Sequence, residues 1–64
     1  MRINLKAERI KKKMTQSQVA RKIHISERQY QRLEAGTSNG TIPIWGQLEK
    51  LLDKPIDFLL IDSN

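Results

Sequence analysis

Four polar side chains in one predicted helix have the types and the spacing needed to recognise base pairs. They are Glu27, Arg28, Gln31 and Arg32. Residues spaced by three or four positions lie on the same face of a helix, so these four side chains form one connected polar face. Arginine can donate two hydrogen bonds to guanine O6 and N7, glutamine can pair with adenine in the same way, and glutamate can accept from cytosine N4. The alternative is a solvated polar face, in which Glu27 is merely favourable at a helix N-terminus.

Two capping boxes predict the helices that position these side chains. Thr15 with Gln18, and Ser26 with Gln29, each have the spacing at which a hydroxyl and a glutamine satisfy free backbone N–H groups at a helix start. The two short helices and the tight turn between them make a helix-turn-helix unit at about residues 15–36. In such a unit the N-terminal side chains of the second helix enter the major groove of DNA.

The rest of the chain predicts helices on both sides of this unit. We expect helices at about residues 4–13, 16–23 and 27–35, with Gly36 as a left-handed stop after the third. Thr41 caps a fourth helix that reaches Asp53 and has Pro43 in its first turn, and a fifth helix covers 56–60. Gly46 weakens the fourth helix. We expect a glycine there because another backbone or the Trp45 ring packs closely against it. The expected core of the first helix is Leu5, Ile10 and Met14.

Charge is distributed unevenly along the 64 residues. Residues 1–32 carry a net charge of +8, and residues 33–64 carry −3, giving the overall +5. A basic half that contains the helix-turn-helix unit is typical of a protein that binds a polyanion. A solvated basic surface with no such partner is the competing interpretation.

Several other classes of protein are disfavoured by composition. There is no cysteine and His24 is the only histidine, so no disulfide framework and no cysteine or histidine metal cluster is expected. No apolar run approaches the roughly 18 residues of a membrane span, and the N-terminus becomes charged too early for a signal peptide. With no paired carboxylates, nucleophile–histidine set or glycine-rich phosphate loop, we expect no enzyme, no cofactor and one domain over 1–64.

The chain resembles the Cro/C1-type (XRE) helix-turn-helix regulators of phages and bacteria over about residues 5–60. The residues that carry the resemblance are Thr15-Gln16, Val19-Ala20, Ser26, Leu33-Glu34-Ala35-Gly36 and Ile56-Asp57-Phe58-Leu59. The resemblance implies an all-α fold, a compact lambda-repressor-like DNA-binding domain of four to five helices with the helix-turn-helix at helices 2 and 3. It also implies a cytoplasmic, nucleoid-associated protein of bacterial or phage origin.

The resemblance also implies roles for individual residues. Arg28 and Arg32 become the main base readers, with Gln31 and Glu27 secondary. The expected contacts to the DNA backbone come from Gln16, Gln29, Thr37, Ser38, Asn39, Lys13 and Lys22. Arg9 and Glu34 occupy positions where family members often have a structural ion pair.

Three positions depart from the family pattern. His24 stands where glycine is usual in the turn, and histidine tolerates a left-handed backbone better than most residues. Tyr30 replaces an apolar branched residue on the inner side of the third helix, where we expect it to lie in the core. Ala35 replaces an asparagine, so backbone contacts are expected to move into residues 37–39.

The expected function is sequence-specific binding of double-stranded DNA as a repressor. A homodimer on a palindromic operator is expected because one module reads few base pairs, and its candidate interface residues are Phe58, Leu60 and Ile61. A weaker idea is an edge sheet between residues 1–3 and 60–62. The alternative function is an antitoxin or other interaction module with a protein partner, either a toxin or an antirepressor. RNA binding is disfavoured by the lack of stacking aromatics.

Overall fold

A computed structural model describes residues 1–61, and all its regular elements are helices. They are, in chain order, α1 (Ile3–Lys11), α2 (Gln16–Lys22), α3 (Glu27–Ala35), α4 (Ile42–Leu52) and α5 (Ile56–Leu60). The five predicted helices are therefore confirmed, and the bounds of the third and fifth agree with the prediction. The chain is compact, with a Cα radius of gyration of 10.1 Å.

The predicted ends of α1 and α2 are wrong by one or two residues. Helix α1 ends at Lys11, and Lys12 is its C-cap, while Lys13 has a left-handed backbone with φ of 59°. Helix α2 ends at Lys22, and Ile23 caps it. Only the first of the three consecutive lysines therefore belongs to the last helical turn. Lys13 lies in the link to α2.

Both capping boxes are present at the starts of α2 and α3. The Thr15 hydroxyl accepts from the Gln18 N–H at 3.1 Å, and the Thr15 N–H donates to Gln18 Oε1 at 2.8 Å. Ser26 and Gln29 repeat this arrangement at 3.1 and 2.9 Å. Because each box satisfies two N–H groups that the helix cannot, both helices begin where the sequence predicts.

One apolar core joins all five helices. Its buried members are Leu5, Val19, Ala20, Ile23, Tyr30, Leu33, Trp45, Leu48, Leu52 and Leu59. Tyr30 belongs to this core as predicted. The assignment of Ile10 to the core is wrong, because its residue surface is 54% exposed. Met14 packs only partly against the core.

The glycine that packs tightly against distant residues is Gly40, and the expected approach of another backbone to Gly46 is wrong. Apart from its two chain neighbours and the backbone of its own helix, a Cβ placed on Gly46 would meet no atom within 4 Å. The suggested contact with the ring of the adjacent Trp45 stays a prediction. A Cβ on Gly40 would lie 2.7 Å from Leu33 Cδ2 and 2.9 Å from Trp45 Nε1. Gly40 also has φ of +68°, a backbone conformation that side chains disfavour. The close approach therefore occurs in the loop before α4, not inside that helix.

The suggested edge sheet does not form within residues 1–61. Ile3 begins α1, and the side-chain amide of Asn4 donates to the Phe58 carbonyl at 3.1 Å. The two ends of the described chain therefore meet through helices, with a side chain satisfying a carbonyl of α5. The expected pairing partner Asp62 lies outside the described residues.

Candidate nucleic-acid interface

Helix α3 presents one polar face to solvent and buries the other. The exposed side chains are those of Glu27, Arg28, Gln29, Gln31 and Arg32, while the buried ones are those of Tyr30, Leu33 and Glu34. The four predicted base readers thus share the exposed face of one helix. This arrangement follows from the helical period, which separates the apolar i, i+3 positions from the polar ones.

Two of the predicted base readers contact each other. Gln31 Nε2 donates to Glu27 Oε2 at 3.3 Å, across one turn of α3. Arg28 and Arg32 have the same four-residue spacing one position further along the helix. The exposed face therefore has two neighbouring pairs of side chains. One pair is two arginines, which can only donate hydrogen bonds, and the other is a glutamate bonded to a glutamine. Gln29, predicted to contact the DNA backbone, already uses its Oε1 in the Ser26 capping box.

The turn between α2 and α3 takes the strained form that the sequence suggests. His24 is exposed and has φ of 62°, in the left-handed region. The Ile25 N–H donates to the Ala20 carbonyl at 3.0 Å, which closes the C-terminus of α2. Histidine is one of the less costly non-glycine residues in this region. The turn therefore keeps its form without glycine.

Arg9 and Glu34 join α1 to the end of α3 through a two-point ion pair. Arg9 Nε and Nη2 donate to the two carboxylate oxygens of Glu34 at 2.8 and 3.0 Å, and Arg9 Nη1 donates to the Met14 carbonyl at 2.9 Å. Glu34 is only 1% exposed. Burial opposes its ionisation, but Arg9, together with the neighbouring Tyr30 hydroxyl and Gln16 amide, outweighs burial and holds the Glu34 pKa below its ordinary value. This pair ties α1 to the C-terminal end of α3.

Gln16 takes part in the same network. Its Nε2 donates to Glu34 Oε1 at 3.3 Å from the first turn of α2. An amide nitrogen carries two hydrogens, so one remains for a second acceptor. Gln16 is thus a side chain at a helix N-terminus whose position is set by a buried carboxylate, which is a favourable place to meet a phosphate.

Tyr30 lies beside this network, and its buried hydroxyl has no hydrogen-bond partner within residues 1–61. Burial raises the Tyr30 pKa above its ordinary value, and the neighbouring Glu34 carboxylate adds to this effect. The tyrosine is therefore neutral and faces the interior. It does not lie on the exposed polar face of α3.

The loop after α3 is held from inside by two side chains. Arg2 Nη1 donates to the carbonyls of Leu33 and Ser38, both at 2.6 Å, and Trp45 Nε1 donates to the Asn39 carbonyl at 2.7 Å. In a planar trans peptide the N–H of the next residue points away from the carbonyl. The Asn39 N–H is therefore directed opposite to Arg2. The loop at residues 37–39, which is predicted to contact the DNA backbone, therefore holds the Asn39 N–H in a fixed direction as a hydrogen-bond donor.

Sequence reasoning missed Arg2, which was counted only as part of the basic half. Arg2 is 6% exposed, and its guanidinium also lies 5.1 Å from the centroid of the Trp45 ring. It adds little to the charged surface, and its work is structural. Its bonded partners are main-chain carbonyls 31 and 36 residues away, so no spacing in the sequence could mark them.

The remaining predicted contact residues lie at the surface around α2. Lys22 is the last residue of α2 and Lys13 lies in the link before it, and both side chains are exposed. Each therefore lies within three residues of an end of α2, the helix that precedes α3 in the motif. Their exposure allows electrostatic contact with a polyanion.

The three candidate interface residues differ in exposure. Phe58 is half-buried and packs against the core, with Lys54 Nζ 5.8 Å from its ring centroid. Leu60 and Ile61 are exposed large apolar side chains. Sequence reasoning missed Ile42, which is 85% exposed at the start of α4.

The described part of the chain contains neither a metal-binding cluster nor a membrane-spanning helix. Residues 1–61 contain no group of three or more histidine, cysteine, aspartate or glutamate side chains that could hold a metal ion. None of the described helices is long and apolar enough to cross a membrane.

Comparison with known proteins identifies the family. A family model described as helix-turn-helix matches residues 5–59, which is most of the chain. Comparisons with curated proteins and with solved structures returned no match. The matched region covers α2, the strained turn and α3, together with the helices that brace them. The chain therefore belongs to the Cro/C1-type helix-turn-helix (XRE) family, whose members are DNA-binding regulators of transcription.

Proposed function

We propose that residues 1–64 form one domain that binds a specific double-stranded DNA sequence and represses transcription by occupying it. Helix α3 lies in the major groove, with Arg28 and Arg32 as the main base readers and Gln31 and Glu27 beside them. The observation that carries this proposal is the exposed polar face of α3, which the buried pair of Arg9 with Glu34 ties to α1. Arginine in such a place matches guanine O6 and N7.

Contacts to the DNA backbone lie on both sides of α3. Gln16 is at the N-terminus of α2, and residues 37–39 follow the C-terminus of α3. The fixed Asn39 N–H and the Ser38 hydroxyl are donors for one phosphate region, and Gln16 is a donor for another. The Thr37 hydroxyl donates to the Arg32 carbonyl at 3.3 Å, so Thr37 gives up this bond when it donates to a phosphate. Lys13, Lys22 and Gln29 add to the set. Such contacts set register and affinity but not sequence preference.

A homodimer explains how so small a module reaches useful specificity. Two copies related by a two-fold axis read two half-sites about 34 Å apart, so the operator is a palindrome. Phe58, Leu60 and Ile61 supply the contact between copies. Leu60 and Ile61 are exposed large apolar side chains at the end of α5, which supports this surface. Sedimentation with and without the selected duplex measures the stoichiometry.

Selection from random DNA duplexes tests the base-reading assignment. The expected result is a palindromic consensus whose preference is lost at defined positions in Arg28→Ala and Arg32→Ala. Each arginine contributes about 1–3 kcal/mol of discrimination against wrong bases. Lys50→Ala is a charge-matched control, because Lys50 is exposed on α4 and has no proposed contact. Intact preference in both arginine variants would show that α3 does not read bases through them.

Backbone contacts have a different signature. Gln16→Ala is expected to weaken binding to all sequences alike, so a changed preference would count against its phosphate role. Affinity should fall with salt by about 0.9 log units per log unit of salt for each phosphate neutralised. An affinity that does not depend on salt would reject electrostatic DNA binding.

A further inference from the structure

The hydrogen bond between Glu27 and Gln31 is the one direct contact among the proposed base readers within residues 1–61. Gln31 Nε2 lies 3.3 Å from Glu27 Oε2, and both side chains are exposed. Glu27 is the first residue of α3, and Gln31 lies one turn later on the same face. Neither side chain helps to fill the core. The pair is therefore not needed for the core and can take part in binding a ligand.

The chemistry of the pair fixes which way the Gln31 amide points. An ionised carboxylate only accepts hydrogen bonds, so Gln31 must offer an N–H to it and cannot offer its oxygen. The amide nitrogen then has one hydrogen left, beside the free Oε1. This leaves a donor and an acceptor next to each other. Adenine presents the complementary pair in the major groove, with N7 as acceptor and the N6 amino group as donor.

An unpaired glutamine has no such constraint. It can rotate its amide by half a turn and direct the NH₂ group at the acceptors of guanine or thymine. We propose that Glu27 is a positioning residue that orients the Gln31 amide so that Gln31 selects adenine in each half-site. This inference rests on the proposed function, since it assumes that α3 lies in the major groove.

The surroundings of the pair in a complex strengthen the effect. In water the bond is exposed and competes with solvent. Docking in the groove removes much of that water, and a hydrogen bond to a charged group is stronger in a medium of lower dielectric. The neighbouring arginines, Arg28 and Arg32, offer only donors and match guanine. The half-site is therefore expected to contain an adenine next to bases read by arginine.

Selection experiments with four proteins test the inference. Wild type and the variants Gln31→Ala, Glu27→Ala and Glu27→Gln are compared on the same random duplex pool. Gln31→Ala defines the position that Gln31 reads, because its preference disappears there. Glu27→Ala is expected to lower the ratio of adenine to other bases at that same position by on the order of tenfold. Glu27→Gln is expected to lose most of the preference as well, because an amide can donate to Gln31 Oε1 as readily as it accepts from Gln31 Nε2 and so no longer fixes the orientation of Gln31.

The ratio between bases is the readout, not the affinity. Removing a negative charge strengthens binding to all DNA sequences, and a change in the fold would weaken it for all sequences. Neither effect produces a loss confined to one position. A second probe replaces the selected adenine by 7-deazaadenine, which lacks the N7 acceptor. It should weaken binding of wild type and leave that of Gln31→Ala unchanged.

Each other outcome overturns a defined part of the interpretation. If Glu27→Ala loses preference at a different position from Gln31→Ala, Glu27 reads its own base and is not a positioning residue. The positioning role is also rejected if Glu27→Gln keeps the wild-type preference, since an amide cannot fix the orientation of Gln31, or if the shared base is not adenine. If wild type enriches no sequence at all, the proposed function fails together with this inference.

Discussion

The two faces of α3 divide stability and recognition between them. The inner face buries Tyr30, Leu33 and Glu34 almost completely, and each of them contacts another helix, loop or buried charge. The outer face holds Glu27, Arg28, Gln31 and Arg32, all exposed. Among the described residues, only the bond of Glu27 to Gln31 joins these four side chains to one another. A single helix thus carries two sets of side chains with separate tasks.

The inner face explains why the outer face can vary. The C-terminal end of α3 is held by Arg9 through Glu34, and by Arg2 through the Leu33 carbonyl. Its N-terminal end is set by the Ser26 capping box. The helix is therefore positioned at both ends by groups that do not lie on its outer face. Substitutions on the two faces should have different consequences.

The largest expected effect on the inner face comes from Arg9→Ala. It leaves the Glu34 carboxylate buried without its counter-charge, and removing one partner of such a pair costs about 3 kcal/mol or more. Urea unfolding followed by circular dichroism measures the loss. Arg21→Ala is the matched control because Arg21 is exposed on α2, and it should change stability by less than about 0.5 kcal/mol. Equal losses in the two variants would show that the ion pair does not hold α3.

Gly40 and Gly46 make the next contrast. Gly40→Ala places a Cβ 2.7 Å from Leu33 Cδ2 at a left-handed backbone position, so we expect a loss of roughly 2–3 kcal/mol from strain and overpacking. Apart from the two chain neighbours of Gly46 and the backbone of α4 itself, the Cβ of Gly46→Ala meets no atom within 4 Å, so this variant should stabilise by about 0.5–1 kcal/mol. Thermal unfolding of both variants checks the opposite signs. A stabilising Gly40→Ala would mean that the loop against Leu33 is not tightly packed.

Acid should lower the stability that the inner face of α3 contributes through Glu34. The Glu34 pKa in the folded protein lies below its ordinary value of 4.5, because Arg9, with the neighbouring Tyr30 and Gln16 side chains, outweighs the effect of burial. The carboxylate therefore contributes stability that is fully present well above pH 4.5 and is lost as the pH falls through the folded pKa. Unfolding measured from pH 7 downward should show this loss below about pH 4.5. Glu34→Gln should lower stability at neutral pH and flatten the acid limb, and an unchanged limb would place the titrating group elsewhere.

Much of the helix-turn-helix unit could be predicted from local sequence. Thr15 with Gln18 and Ser26 with Gln29 act over three residues, and Gly36 ends α3 with φ of 86°. Such signals are readable because the interacting groups are close in the sequence. The polar face of α3 follows from periodicity in the same way. Its contacts with bases are still a prediction, because only the arrangement of the side chains is seen.

The misses all depend on distant parts of the chain. Arg2 bonds carbonyls more than 30 residues away, and Gly40 is required by the positions of Leu33 and Trp45. Periodicity also suggested that Ile10 is buried, but exposure depends on which helices pack around α1. The net charge of residues 1–32 also overstates the charge at the surface, because it includes the buried Arg2. Local patterns define the elements, whereas these features are set by how the elements pack.

The smallest expected effect on stability belongs to the outer face and tests the division most directly. Arg28→Ala and Arg32→Ala remove exposed side chains that form no ion pair within residues 1–61, so each should change the free energy of unfolding by less than about 0.5 kcal/mol. The same variants are expected to lose base preference. Urea unfolding and duplex selection on the same preparations compare the two properties. If either variant unfolds as readily as Arg9→Ala, the outer face also holds the fold, and loss of DNA preference could no longer be assigned to base contacts.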